Sequence, residues 1–202
     1  MEIDAGTLSP QEAYRLLVGL VVPRPIAWVT TQSSAGVVNL APFSCFTFVS
    51  YSPPMVAISV GRRGEALKDT ARNIMESKAF VVNIVDEPHI EQMHLSSAEH
   101  PAEVGEAALL GLKTEPGHRP GCHRLSSAPA ALECMLYDII EFGALRTQLI
   151  VGEIRHFHIR DGLCRDGKID SRELAPVGRV AGPRYAMLRE FISLPPTGET
   201  FG

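Results

Sequence analysis

Between Pro23 and Ile74 short apolar runs alternate with turn chemistry, and this pattern restricts the fold more than any other feature. The stretch reads PRPIAWVTT, a polar break at Gln32 to Gly36, then VVNLAPFSCF, YSPPMVAISVG and KDTARNI. Ile26 to Thr31 and Val37 to Ala41 predict a strand pair around that break. Phe43 to Ser50 is rich in β-formers, Pro53-Pro54 interrupts it, and Met55 to Val60 predicts a further strand. Leu67, Ala71, Ile74 and Met75 recur at helical spacing, so a helix is expected from near Asp69.

The same reading extends to both sides. Ser9-Pro10-Gln11-Glu12 predicts a helix start, with Ser9 as N-cap, Pro10 at the first helical position and Glu12 closing a capping box. Ala13, Leu16, Leu17 and Leu20 then share one face, and Pro23 and Pro25 end that helix. Ala79 to Val85, Ala130 to Phe142 and Gln148 to Ile159 predict strands. Asp161-Gly162 is a hairpin signal, with Leu163-Cys164 starting the return strand, and Asp166-Gly167 is a second turn signal. Glu87 to Gly121, broken by Pro88, Pro101, Pro116 and Pro120, reads as an excursion over the core. AMLREF near the C-terminus reads as a short helix. Six or seven strands with two or three helices argue against alternating β-α units. They predict a mainly β fold with peripheral helices, a mostly antiparallel barrel. Leu132 to Ile140, apolar on both faces apart from Glu133 and Asp138, suits a strand covered by the barrel core and by a helix or second subunit.

At 202 residues a single domain, 1–202, is expected, with the barrel core at about 23–185. The net charge of −4 gives no electrostatic footprint for nucleic acid or an anionic membrane. No apolar run is long enough to span a bilayer, and the acidic N-terminus lacks the pattern of a secretory signal, so a cytoplasmic location is expected. The four cysteines are widely spaced without a C-x-x-C, which predicts free thiols. His156 and His158 share a strand face but have no evident third ligand, so no metal is expected. His118 and His123 lie in a turn-rich loop and read as solvated.

Three places can carry chemistry. At Lys68-Asp69-Thr70, a helix start with Asp69 as N-cap leaves amides free; with Lys68, the Thr70 hydroxyl and the nearby Arg62 and Arg63 it is suited to an anion. An ordinary capped helix with solvated cations is the competing reading. Asn39 to Phe46 carries the small polar groups Asn39, Ser44 and Cys45, with Pro42 bending the chain, so a flat ring can approach the backbone; a β-bulge explains the same residues. Trp28-Val29-Thr30-Thr31 sets the only tryptophan beside two hydroxyls, where a core tryptophan competes with a ligand contact.

Taken in order, PRPIAWVTT, NLAPFSCF, the PP before a strand, KDTARNI, LEC at Leu132 to Cys134, GEI at Gly152 to Ile154 and GRVAGPRY resemble flavin reductase-like proteins. The resemblance runs from about Leu16 to Tyr185. It implies an FMN-binding split β-barrel and a homodimer with FMN near the subunit interface. Trp28, Thr30, Thr31 and the stretch Asn39, Ala41, Pro42, Ser44, Cys45 and Phe46 would surround the ring and ribityl chain. Arg62, Lys68 and Thr70 would hold the phosphate, and Arg179 and Tyr185 would border the flavin. The implied activity is hydride transfer from NAD(P)H to flavin, with FAD left open beside FMN, no protein acid or base, and a monooxygenase or redox protein as partner. A flavoredoxin-like electron carrier, reduced by a protein, is the alternative.

Overall fold

In a computed structural model that describes residues 1–195, the expected strands form one antiparallel sheet. Residues 196–202 of the expected domain lie outside the described residues. The sheet strands are β1 (Ala27–Gln32), β2 (Val38–Phe43), β3 (Phe46–Tyr51), β4 (Pro54–Val60), β5 (Ala79–Ile84), β6 (Ala130–Phe142) and β7 (Thr147–Ile159). Their spatial order is β2-β1-β5-β6-β7-β4-β3. The two edge strands, β2 and β3, are therefore consecutive in sequence and linked only by Ser44 and Cys45. They do not hydrogen-bond to each other, so the curled sheet is a split barrel with a seam. The Cys45 carbonyl accepts from Ser59 N at 2.8 Å, which fastens the link to β4.

Side-chain alternation explains why β1 sits at the centre of the packing. Ala27 and Val29 enter the barrel cluster with Ile58, Phe80, Cys134 and Ile150. Ile26 and Trp28 face the other way, into a second cluster with Leu40, Met93, Leu125 and Val177. That outer layer is the Glu87–Gly121 excursion, with helices that include α3 (Ile90–Leu95) and α4 (Glu106–Leu109), closed by later chain. Helix α2 (Asp69–Ser77) packs Ala71 and Ile74 into the barrel cluster, while Met75 turns outward at 40% exposure.

Helix α1 (Pro10–Leu20) begins with the predicted capping box, Ser9 and Glu12 bonding reciprocally. None of its residues is buried, so its apolar face is not part of the core. The AMLREF segment differs from the helical expectation. Tyr185–Met187 is a strand that pairs with Val177–Arg179, which in turn pairs with Arg24–Pro25. Backbone pairing to Val177–Arg179 overrides its local helical preference. Asp161-Gly162 makes a turn, but the short hairpin is formed at Asp166-Gly167, between Cys164–Arg165 and Lys168–Ile169.

Candidate functional site

Strand β2 and the start of α2 border a polar cleft of about 140 Å³. Asn39, Ala41 and Pro42 line one side, Lys68 and Thr70 another. The helix begins at Asp69, so Lys68 and not Asp69 occupies the N-cap position. Lys68 is extended there (φ −68°, ψ 152°) and its side chain makes no cap bond. The Asp69 carboxylate is bound to Arg72 instead. The first amides of α2 thus lack a side-chain acceptor and sit at the positive end of the helix dipole. Lys68 Nζ lies 5.9 Å from the centre of the Phe43 ring, which holds its charge near the cleft.

Asn39 and Thr70, predicted separately, meet. Asn39 Nδ2 donates to Thr70 Oγ1 at 3.1 Å. Arg62 and Arg63 part company: Arg63 lines the cleft, while Arg62 pairs with Glu141 at 3.3 Å and bonds the Glu65 carbonyl. Consecutive residues in the extended Gly61–Ala66 turn point to opposite sides. Arg63 in turn pairs with Glu99 at 2.9 Å.

Two cleft elements were missed by sequence reasoning. Ser96 and Ser97 arrive from the end of α3. Glu106 at the start of α4 is buried, and its Oε2 accepts from Leu40 N at 2.8 Å. Burial pushes the Glu106 carboxyl up, the Leu40 amide opposes this, and the net shift is upward. Gly105 permits the close approach, because a Cβ there would lie 2.8 Å from the Val38 carbonyl oxygen. A glycine before a glutamate in a loop carries no signal by itself.

Pro42 and Ser97 also line a second cavity of about 260 Å³, so the two hollows adjoin. Ser44, Arg24 and Arg179 border it. Arg24 was not among the predicted site residues; its Nη1 donates to the carbonyls of Val18 (3.0 Å) and Val21 (2.6 Å) at the end of α1. Its Nε reaches Ser44 Oγ at 3.4 Å. Arg179 donates to the Tyr185 hydroxyl and lies 4.7 Å from that ring's centre, and His94 Nδ1 is 2.8 Å from the same hydroxyl. Cys45 is exposed at the seam, and Phe46 lines a third, apolar hollow of about 350 Å³ with Pro23 and Pro25.

Trp28, Thr30 and Thr31 line none of these hollows. Trp28 is 1% exposed and its Nε1 donates to Ser96 Oγ at 2.8 Å. Thr30 donates to the His123 carbonyl and accepts from Asn83 Nδ2 at 3.2 Å. Thr31 accepts from Asn73 Nδ2 at 3.1 Å. Because β1 is covered on both faces, its hydroxyls serve the interior. His118 is also not simply solvated: it stacks on His156 at 4.4 Å, beside the buried Glu133 carboxylate that receives its amide. Among the described residues no group of His, Cys, Asp and Glu is arranged to hold a metal ion.

Comparison with known proteins places the fold in a family. The flavin reductase like domain model matches residues 19–170. An uncharacterised protein of Halalkalibacterium halodurans is 41% identical over 199 residues, 96% of this chain and 95% of that protein. The crystal structure of nitrilotriacetate monooxygenase component B from Bacillus cereus superposes with a TM-score of 0.93 at 32% identity, covering 96% of this chain and 98% of that one. The 2-nitrobenzoate 2-nitroreductase NbaA of Pseudomonas fluorescens gives a TM-score of 0.86 at 34% identity, covering the whole of both chains. With its split barrel, its ordered motifs and this match, the chain belongs to the flavin reductase-like domain family.

Proposed function

We propose that the protein is an NAD(P)H-dependent flavin oxidoreductase that holds FMN with its phosphate at the N-terminus of α2. The observation that carries this reading is the uncapped start of α2, opening into a cleft bordered by Lys68 and Arg63. The donor set suits a phosphorylated polyol. Amides, Lys68 and the Thr70 side answer a phosphate, while Asn39, Ser96, Ser97 and the Glu106 carboxylate suit hydroxyl groups. The two acids do not oppose an anion at full strength, since Asp69 is paired with Arg72 and Glu106 is bonded by Leu40 N. Ala41 to Phe46 then continue along the seam, the direction available to the ring.

The bound flavin supplies the hydride chemistry at its N5. The chain's residues grip the phosphate, line the ring's path and limit access of water. The relatives named above, a monooxygenase component and a nitroreductase, support an oxidoreductase; a monooxygenase partner suits the first of them. A homodimer suits the apolar surface left open by α1, where Leu17 and Leu20 are 60% and 79% exposed, and by Phe48 and Tyr51 on β3. No helix among the described residues is long and apolar enough to cross a membrane, which is compatible with a cytoplasmic enzyme.

The test is an absorbance spectrum of the purified protein loaded with FMN or FAD, before and after anaerobic NADH or NADPH. Tight FMN binding and bleaching by one nicotinamide are expected. Bound flavin that only a reduced protein can bleach would favour the electron carrier, and failure to bind either flavin would end the reading. Light scattering checks the dimer; a monomer that still binds FMN overturns it.

A further inference from the structure

We propose that the cavity between Arg24 and Arg179 binds the carboxylate of a small organic acid. Arg24 is 8% exposed, so its charge is held inside the protein. A buried cation needs compensation. Among the described residues it comes only from neutral groups: the carbonyls of Val18, Val21 and Val180 and the hydroxyl of Ser44. The α1 carbonyls are the negative end of a helix dipole, which fixes the guanidinium in place without neutralising it.

Arg179 stands opposite Arg24 across the small sheet, the two being register partners. Its only hydrogen-bond partner among the described residues is the Tyr185 hydroxyl, so most of its donor fork remains available. Two guanidiniums therefore border one cavity of about 260 Å³, and its lining contains no carboxylate. Like charges in a walled hollow reinforce one another's field and favour an anion there. The rest of the wall mixes apolar and aromatic side chains, Val18, Ile26, Met93 and Tyr14 among them, with the polar Ser44 and Ser97. A guanidinium pair in a cavity that also offers aliphatic side chains and hydroxyls is complementary to a compact organic acid, with the carboxylate at the arginines and the carbon frame against Val18, Ile26 and Met93. The cavity adjoins the cleft through Pro42 and Ser97, so a ligand there lies beside the seam. That this acid is the flavin's reaction partner rests on the function proposed above; that the cavity takes an acid does not.

The test compares benzoate with benzamide, alike in shape but not in charge, by calorimetric titration of the FMN-loaded protein at constant ionic strength. Benzoate is expected to bind at least about tenfold more tightly than benzamide. Arg179→Gln is expected to abolish that preference and Arg179→Lys to restore part of it, with thermal melting used to verify folding. Equal binding of the two probes, or no binding of benzoate, overturns the proposal without any variant. A third arm adds ADP-ribose. If it competes with benzoate and loses affinity equally in Arg179→Gln, the cavity serves a dinucleotide pyrophosphate, and the organic-acid assignment falls. FMN affinity is measured first. A benzoate preference that persists in a protein unable to bind flavin would refute the proposed function and leave the cavity assignment standing.

Discussion

Asn39 on β2 donates its Nδ2 to Thr70 Oγ1 in the first turn of α2, at 3.1 Å, and this bond joins the strand beside the cleft to the helix whose amides open into it. Thr70 is 2% exposed and Asn39 8%, so neither partner can exchange the other for bulk water.

Thr70→Val keeps the volume and removes the acceptor. Leaving the Asn39 amide unpaired costs about 1–3 kcal/mol, read as a lower urea midpoint. FMN affinity is expected to fall by roughly tenfold, which corresponds to about 1.4 kcal/mol. Unchanged affinity in a flavin fluorescence titration would remove this pair from the site.

Lys68→Ala tests the phosphate end alone. The Lys68 side chain makes no cap bond, so α2 keeps its start. FMN binding is expected to weaken by about tenfold and to lose part of its salt dependence, whereas riboflavin, which has no phosphate, binds as before. An equal loss for both flavins would place Lys68 elsewhere on the ligand.

Acid should loosen the Gly117–Cys122 loop through Glu133. Burial works to raise this carboxyl, but the His118 amide and the His158 ring bond it, and the nearby imidazole charge helps, so it is held below its ordinary 4.5. A depressed folded value means that the unfolded chain binds more protons, so stability rises with pH in that range. The contribution is complete above the unfolded value and is lost as pH falls through the folded one. Wild type should therefore lose urea resistance more steeply than Glu133→Gln as pH falls below the ordinary carboxyl value of 4.5. Parallel curves would show that Glu133 is not the group responsible.

Gly152→Ala should destabilise the barrel without touching the cleft. A Cβ at this position would lie 2.4 Å from Phe80 Cζ and 3.0 Å from Cys134 Cβ. Overpacking of this kind costs about 1–3 kcal/mol. The melting temperature should drop and be partly recovered by adding Phe80→Leu; no recovery would mean that the strain is in the backbone.

All seven strands of the split barrel were legible in the sequence, because turn residues and alternation mark a strand wherever it lies. Less of the site was legible, for reasons visible in particular residues. Trp28 and Thr30 look like a polar strand end until α3 and the chain beyond it cover them. Arg62 and Arg63 are equivalent in sequence, and only the Gly61–Ala66 turn decides which faces the cleft. Glu106 gains its place from Leu40, 66 residues away, through a helix of four residues that no periodicity announces. The capping box of α1 was readable, yet helical spacing gives an apolar face without naming what covers it.

The three-stranded sheet that joins Arg24–Pro25 to Val177–Arg179 and Tyr185–Met187 also sets an order of assembly. The last strand of the barrel ends at Ile159, so the barrel's own pairing is complete in sequence before Arg179 is synthesised. A chain growing from its N-terminus can thus shape the cleft at α2 first and add the second arginine of the neighbouring cavity near the end of translation. Nascent or truncated forms that stop short of residue 177 would lack the wall opposite Arg24, because the hairpin of Val177–Arg179 and Tyr185–Met187 supplies it.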